Sequence, residues 1–261
     1  MASLDNSDGI SFTGARYDTI GKGYTARRRA DPRIAARIVS ALGSGENLLN
    51  IGAGTGSYEP SDREVFALEP SGMMISQREE AAAPVVQGMA EQLPFPDNSF
   101  DAAMGVLTLH HWTDWQAGLR EAMRVARQRV VLFSWVGYVN EFWLTDYFPE
   151  IGPISSEGFP AQDDIATVMG EFECATVPVP CDCQDGFLCS YWRRPAAYLD
   201  PMVRQAISTF ARIDDQESRL ARLATDLKTG VWAQNYANLL DAQDMDYGYR
   251  LMTFEKAGWR A

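Results

Sequence analysis

Apolar runs and helical repeats alternate along the first half of the chain. Five apolar runs are bounded by turn residues and predict strands, at 47–51, 64–69, 84–87, 101–109 and 129–135. Between them, apolar residues recur at helical spacing in 32–42, behind an Asp31-Pro32 start, and again in 115–126. Strands that alternate with helices in this way predict a parallel sheet with helices on both faces.

The pattern changes after residue 136. It predicts helices at 141–151 and 164–172, a strand at 174–180, several helices within 191–240 and an antiparallel strand at 246–254. We therefore expect an α/β, Rossmann-like fold: a mostly parallel sheet with an antiparallel last strand and a helical cap inserted before that strand. The expected units are an N-terminal arm or lid at 1–30, a cofactor-binding α/β core at 31–180, the helical cap at 181–242 and the last core strand at 243–261.

Composition limits the classes of partner. The 261 residues are 46% hydrophobic, enough for one large core, and the net charge is −12. Nucleic-acid binders need a basic surface, whereas the one basic run here, Arg27-Arg28-Arg29, is interpreted as a solvated face. The sequence shows no membrane-spanning stretch and no signal peptide. We expect a cytoplasmic protein without nucleic-acid or membrane partners, whose acidity favours a cationic small molecule.

The cysteines are clustered late in the chain. All four lie between Cys174 and Cys189, with Cys181 and Cys183 between them. Such a cluster could hold zinc or present thiolates to a soft substrate, but the spacing is not that of a zinc finger and no histidine is near. We interpret these residues as reduced, small buried thiols beside the pocket and predict no metal site.

Three glycines follow the first predicted strand directly. Gly52, Gly54 and Gly56, with Glu69 closing the second strand, form a pattern typical of adenosine cofactor sites, where the carboxylate accepts hydrogen bonds from the ribose. A dinucleotide also needs a helix N-terminus for its pyrophosphate, and "YEPSDR" predicts no helix. S-adenosylmethionine, which has no phosphate, therefore fits better than NAD or FAD. An NAD(P)-dependent oxidoreductase and a non-catalytic binding protein of the same fold stay open as alternatives.

Four segments together carry a family resemblance. "NLLNIGAGTGSY", "FALEPSGMM", "VVQGMAEQLPFPDNSFDAAMGVLTLHHW" and "GLREAMRVA" resemble the class I SAM-dependent methyltransferases, in the type 11 or UbiE-like branch, over about residues 15–136. The later "FLCSYWRRPAAYL" and "MDYGYRL" are similar to a bacterial subgroup that includes members of natural-product pathways. The resemblance implies methyl transfer from S-adenosylmethionine to an oxygen, nitrogen or carbon atom of a small molecule.

The resemblance also implies the cofactor residues. Glu69 would hold the ribose, and Leu107 would lie beneath the sulfonium. The methionine part would meet the backbone of Gly52, Ala53, Gly54 and Gly56, and the adenine would lie against Pro70, Ser71, Met74, Ala90 and Glu91. Met89 stands where many relatives have an acidic residue, so that contact must come from elsewhere. The link from Gly56 to Glu64 is short and leaves a thin wall, which the arm residues Tyr17, Tyr24 and Arg27 are predicted to cover.

The chain has two histidines, His110 and His111, just after the fourth predicted strand. The carboxyl edge of an open α/β sheet is where ligands bind. "LHHWTDW" resembles the His-x-Trp-x-Asp segment that supplies the general base in some small-molecule O-methyltransferases, which implies His110 as the base and His111 as second choice. The alternative is a structural pair that packs on Trp112 or caps the next helix.

Overall fold

The computed structural model describes residues 28–257. Nine strands form within them: β1 Asn47–Ile51, β2 Glu64–Glu69, β3 Val85–Gln87, β4 Phe100–Val106, β5 Ala126–Trp135, β6 Glu173–Thr176, β7 Val179–Pro180, β8 Asp244–Met245 and β9 Tyr249–Glu255. Seven of them make one sheet in the order β3-β2-β1-β4-β5-β9-β6. Strands β1 to β5 pair in parallel, and β9 runs antiparallel to both β5 and β6. The predicted mostly parallel sheet with an antiparallel last strand is confirmed.

Helices cover both faces of this sheet. Their bounds are α1 Pro32–Leu42, α2 Gly72–Ser76, α3 Trp115–Val125, α4 Ile151–Gly158, α5 Gln162–Met169, α6 Pro201–Gln205, α7 Gln216–Thr229 and α8 Val231–Asn235. Helix α1 begins as the sequence predicts, because the Asp31 carboxylate accepts the Arg33 N–H at 3.0 Å, and it ends at Gly43 with φ +69°. Two separate apolar clusters, one containing α1 and the other α3, form the cores on the two faces.

The cap lies between β7 and β8, which pair in a small second sheet. It contains α6, α7 and α8, so the helical insertion before the last sheet strand is confirmed. Its apolar side chains, including Tyr198, Phe210 and Trp232, belong to the same cluster as Phe133 and Leu251 of the sheet. Because cap and sheet share this core, they pack as continuous apolar layers; the division of the chain at residues 30, 180 and 242 stays a prediction.

Several local predictions differ from the structure, and three of the differences have a clear local cause. Segment 141–151 forms a short 3₁₀ turn, Trp143–Asp146, and α4 begins only after Pro149, because proline disfavours helix at the residue before it. The strand predicted at 174–180 divides into β6 and β7, since Pro178 and Pro180 carry no N–H for a continuous ladder. Strand β4 ends at Val106 because Leu107 has φ +51°.

Candidate functional site

A cavity lies at the carboxyl ends of β1, β2 and β4, around the loop that follows β1. We call it the glycine-loop cavity. Gly52 has φ +66°, and a Cβ there would lie 1.9 Å from Thr108 Oγ1. Gly54 also has a positive φ, +53°. A side chain at Gly52 is therefore excluded both by backbone conformation and by space, which brings the loop backbone close against β4.

Glu69 closes β2 with its carboxylate in the same cavity. Its side chain is buried, and its two oxygens accept hydrogen bonds from the backbone of Gly54 at 2.8 Å and of Ser71 at 3.0 Å. These bonds fix the carboxylate between the glycine loop and the start of α2. The Ser71 hydroxyl in turn accepts the Met74 N–H at 3.3 Å and so caps that helix.

Most residues predicted to hold the cofactor lie together. Ten of them line the glycine-loop cavity: Gly52, Ala53, Gly54, Glu69, Pro70, Ser71, Met74, Ala90, Glu91 and Leu107. Gly56 lies outside that lining; it has φ +90°, and its N–H bonds to the Ala53 carbonyl at 2.9 Å to close the turn. Tyr17, Tyr24 and Arg27 lie outside the described residues. The residues brought together are consistent with one ligand site, and their roles stay predictions.

No helix follows the glycine loop, because residues 52–63 connect β1 to β2 entirely through turns and bends. An ion pair supports the loop instead. The side chains of Glu59 and Arg78 are 8% and 4% exposed and meet at 2.7 Å. Arg78 also donates to the Gly54 carbonyl at 3.0 Å, and Asn50 donates to Glu59 at 3.2 Å. This pair, rather than a helix, holds the shape of the loop.

A second buried ion pair builds the wall that the sequence predicted to be thin. Arg28 Nε lies 2.6 Å from Asp185 Oδ1, and the Tyr58 hydroxyl donates to Asp185 Oδ2 at 3.0 Å. The Ser57 hydroxyl donates to the Arg28 carbonyl at 2.7 Å. The turn after β7 thereby reaches back to the glycine loop, with Arg28 and Tyr58 in the lining of the cavity.

Several residues of this lining are not predicted from the sequence. Arg28 was interpreted as part of a solvated run, although its side chain is only 15% exposed. The others are Asn50, Thr55, Ser57, Tyr58, Leu68, Val106, Thr108 and Trp112. Asn50, Thr55, Ser57 and Tyr58 flank the glycines, so their proximity to the motif was an available signal. Arg28 has no such signal, because its place depends on Asp185, 157 positions away in sequence.

A second cavity, the aromatic cavity, adjoins the first and has a volume of about 570 Å³. Seven aromatic side chains line it: Trp112, Trp115, Trp135, Tyr138, Phe159, Phe187 and Tyr249. The two cavities share four lining residues: Arg28, Leu107, His111 and Trp112. The volume of the aromatic cavity lies within the range of about 300 to 1,000 Å³ that is usual for small-molecule sites, and its apolar walls are typical of such sites.

The two histidines occupy different positions. His111 lines both cavities. In the described part of the chain, His110 belongs to the lining of the aromatic cavity but not to that of the glycine-loop cavity. The His110 ring stacks on Phe159, with centroids 4.1 Å apart and planes at 20°, and its centroid is 3.7 Å from that of His111. Asp114, not a histidine, caps α3 by accepting the Ala117 N–H at 2.9 Å. The helix-capping alternative is therefore wrong, and His111 is the histidine at the junction.

The cysteines form no metal centre in the described residues, where no group of three or more His, Cys, Asp or Glu side chains is arranged to hold an ion. All four are free thiols; Cys174 is exposed and the other three are buried. Burial raises the pKa of Cys183 to about 12 and raises that of Cys189 as well. Within residues 28–257, no helix is long and apolar enough to cross a membrane.

Comparison with known proteins gives a consistent family. Residues 49–134 match the methyltransferase domain model. A crystal structure from Anabaena variabilis ATCC 29413, of a protein assigned as a methyltransferase of an antibiotic biosynthesis pathway, is 30% identical, with a TM-score of 0.82 over 87% of this chain and 98% of that one.

Two curated proteins match over shorter spans. The ubiquinone/menaquinone biosynthesis C-methyltransferase UbiE of Stenotrophomonas maltophilia is 29% identical over 49% of this chain and 65% of its own. The malonyl-[acyl-carrier protein] O-methyltransferase of Serratia marcescens is 36% identical over 51% of this chain and 56% of its own. The chain thus spans less than two thirds of either relative's length.

Proposed function

The chain belongs to the S-adenosylmethionine-dependent methyltransferases, and on that premise we propose that it methylates an aromatic small molecule held in the aromatic cavity. One observation carries the proposal: the aromatic cavity and the glycine-loop cavity share a wall that contains Leu107, His111 and Trp112. Methyl transfer is an in-line displacement, so donor and acceptor must meet across one short boundary. The shared wall supports such a meeting point.

The glycine-loop cavity suits the cofactor of this family, S-adenosylmethionine. Its loop runs through turns to β2, so no helix N-terminus is aimed at a pyrophosphate, and this supports a phosphate-free nucleoside over a dinucleotide. The Glu69 carboxylate, fixed by two backbone N–H groups, is available on its remaining lone pairs for ribose hydroxyls. When bound, the cofactor supplies an activated methyl group on a sulfonium.

We assign the binding residues in the same way. Gly52, Ala53 and Gly54 hold the methionine part, and Leu107 lies beneath the sulfonium. The adenine is bordered by Pro70, Ser71, Met74, Ala90 and Glu91. Arg28 adds a guanidinium beside the loop, held by Asp185, and so is placed to meet an anionic group in either cavity. Gly56 shapes the loop without lining the cavity.

An aromatic acceptor is supported by the seven rings of the second cavity. Flat acceptors gain from stacking and edge contacts with such rings, beyond the area that they bury. The UbiE relative is named for quinone biosynthesis, and the Anabaena relative is assigned to antibiotic biosynthesis. By extension we propose an acceptor from natural-product metabolism, methylated at an oxygen, nitrogen or carbon atom.

His111 is our candidate general base. When the acceptor is a hydroxyl, its oxygen forms a bond to the methyl carbon as the carbon–sulfur bond breaks, and the hydroxyl proton must leave. His111 lines both cavities, so its imidazole is placed at the shared wall to take that proton. His110, which the sequence favours, is second because its ring stacks on Phe159 and is not in the described lining of the glycine-loop cavity.

Two measurements test the proposal. Calorimetry with S-adenosylmethionine, S-adenosylhomocysteine and NADH comes first: tight binding of the sulfur nucleosides supports the enzyme, while tight NADH binding or no nucleotide binding contradicts it. Methyl transfer to a panel of hydroxylated naphthalenes comes second. His111→Ala is expected to lower turnover by about 10² to 10⁴ and to keep S-adenosylhomocysteine affinity. His110→Ala is the matched control, and an equal or larger loss with it would reverse the assignment.

A further inference from the structure

The aromatic cavity has arginine side chains in its lining although the chain as a whole is acidic. Its lining contains two arginines, Arg28 and Arg212, and one acidic residue, Glu157, whereas the whole chain has a net charge of −12. Both guanidinium groups are paired with carboxylates, so what each can offer a ligand depends on how firmly its pair is held.

Arg212 lies where the cap meets α4. Its guanidinium donates to the Ile154 carbonyl at 3.2 Å and pairs with the Glu157 carboxylate. Three hydroxyl side chains from the same two segments of the chain also line the cavity: Ser155, Ser208 and Thr209. The mostly apolar lining therefore includes a cation and several hydrogen-bonding groups.

The two arginines differ in how firmly they are held. Arg28 is paired with Asp185, whose side chain is fully buried, so breaking that pair would leave a buried charge uncompensated. The partner of Arg212 is 64% exposed, and the Glu157 carboxylate can turn into water at little cost. Arg212 is consequently the arginine that can exchange its partner for a ligand.

We propose that the acceptor carries an anionic group such as a carboxylate, and that Arg212 recognises it in place of Glu157. This inference rests on the proposed function, since it concerns the acceptor of that reaction. A guanidinium binds a carboxylate through two parallel hydrogen bonds, which gives direction as well as affinity. The inference reverses the expectation, drawn from net charge alone, of a cationic small molecule.

The chain offers a matched control. Arg219 pairs with Glu150, immediately before α4, at 2.6 Å, and the side chains of Arg219 and Arg212 are both 28% exposed. Among the described residues, Arg219 is not in the lining of the aromatic cavity. Arg212→Gln and Arg219→Gln therefore each remove one Arg–Glu pair between the cap and the α4 region, and only the first changes the cavity lining.

The experiment measures binding of three naphthols of similar shape to the protein saturated with S-adenosylhomocysteine. The probes are 6-hydroxy-2-naphthoate, 6-methyl-2-naphthol and 6-(aminomethyl)-2-naphthol, which are anionic, neutral and cationic. Calorimetry is expected to give about tenfold tighter binding of the naphthoate than of the neutral probe. Arg212→Gln should abolish this preference, Arg212→Lys should restore part of it, and Arg219→Gln should keep it. Glu157→Gln should tighten naphthoate binding by removing the competing carboxylate.

The remaining outcomes overturn the inference in distinguishable ways. Equal affinity for the three probes, or an unchanged preference in Arg212→Gln, rejects Arg212 as the determinant while the aromatic acceptor stands. Tighter binding of the cationic probe assigns the selectivity to Glu157 instead. If the protein binds S-adenosylhomocysteine but none of the naphthols, the aromatic acceptor itself fails and this inference fails with it.

Discussion

Replacing Glu69 by glutamine tests the proposed cofactor site at the two carboxylate oxygens, each of which accepts a backbone N–H. The carboxylate accepts the Gly54 N–H on one oxygen and the Ser71 N–H on the other. A glutamine of the same length has one acceptor oxygen and one NH₂ group, so one of these backbone N–H groups must face another donor. The substitution keeps size and shape and removes one acceptor together with the charge.

The magnitude follows from those contacts. A buried N–H left without an acceptor costs about 1 to 3 kcal/mol of the free energy of unfolding. Loss of the charged acceptor for a ribose hydroxyl should weaken the free energy of S-adenosylhomocysteine binding by about 1.5 to 3 kcal/mol, because hydrogen bonds to ionised groups are stronger than those between neutral groups. At roughly 1.4 kcal/mol per factor of ten, the dissociation constant of S-adenosylhomocysteine should rise by about 10- to 100-fold.

Calorimetry with S-adenosylhomocysteine and urea unfolding together provide the assay. Glu121→Gln is the control, because Glu121 also accepts a backbone N–H, from Leu93 at 2.9 Å, and lies outside the lining of the glycine-loop cavity among the described residues. Glu121→Gln should lower stability and leave affinity unchanged. A folded Glu69→Gln protein that binds S-adenosylhomocysteine within threefold of wild type would refute the ribose assignment.

Three further predictions follow from the same contacts. Gly52→Ala should lower the free energy of unfolding by about 3 kcal/mol or more in urea titrations, and Gly54→Ala by about 1 kcal/mol. Both glycines have positive φ, but a Cβ at Gly52 would lie 1.9 Å from Thr108 Oγ1, whereas a Cβ at Gly54 would lie 3.4 Å from Met74 Cε. Equal losses would contradict the steric argument. Burial alone would raise the pKa of Asp31, but hydrogen bonds from Arg33 and the Gln184 N–H outweigh burial and hold the pKa at about 2. The stability that this carboxylate contributes is therefore fully present at pH values above its ordinary pKa of 3.8 and is lost as the pH falls through about 2. The stability difference between wild type and Asp31→Asn should accordingly narrow from pH 6 to pH 3, and a constant difference would show that titration of Asp31 is not its source. Iodoacetamide should label Cys174 in the native protein and all four cysteines after denaturation, and rapid native labelling of Cys183 would show that its thiol is not buried.

Local signals account for the parts of the fold that were predicted. Strands β1 and β2 have the predicted bounds because each is an apolar run that ends at a glycine or a proline. Helix α1 was found for the same reason, with Asp31 before it and Gly43 after it. The helix predicted at 141–151 is wrong because the aromatic residues of this segment recur at helical spacing but pack into the apolar core from a 3₁₀ turn and a loop.

The candidate site likewise combines residues that a local motif predicts with residues that meet only in the folded chain. The glycines, Glu69 and Ser71 lie near one another in sequence, so their proximity could be predicted from a motif. Asp185 and Tyr58 are 127 positions apart and carry no local signal, since they meet only once the turn after β7 folds back on the glycine loop. The choice between His110 and His111 likewise depends on which ring reaches the shared wall, and adjacent residues in a sequence do not reveal it.

The contact of Asp185 with Arg28 and Tyr58 has a consequence for protein engineering. Exchanging residues 181–261 with those of a relative is an obvious way to test whether the cap sets acceptor specificity, because that part of the chain contains the cap. Such a chimera would also replace the partner of Arg28 beside the glycine loop and leave a guanidinium buried without its counter-ion. The glycine loop and the turn after β7 are therefore coupled through this ion pair, so a successful graft must keep Asp185 or change Arg28 with it.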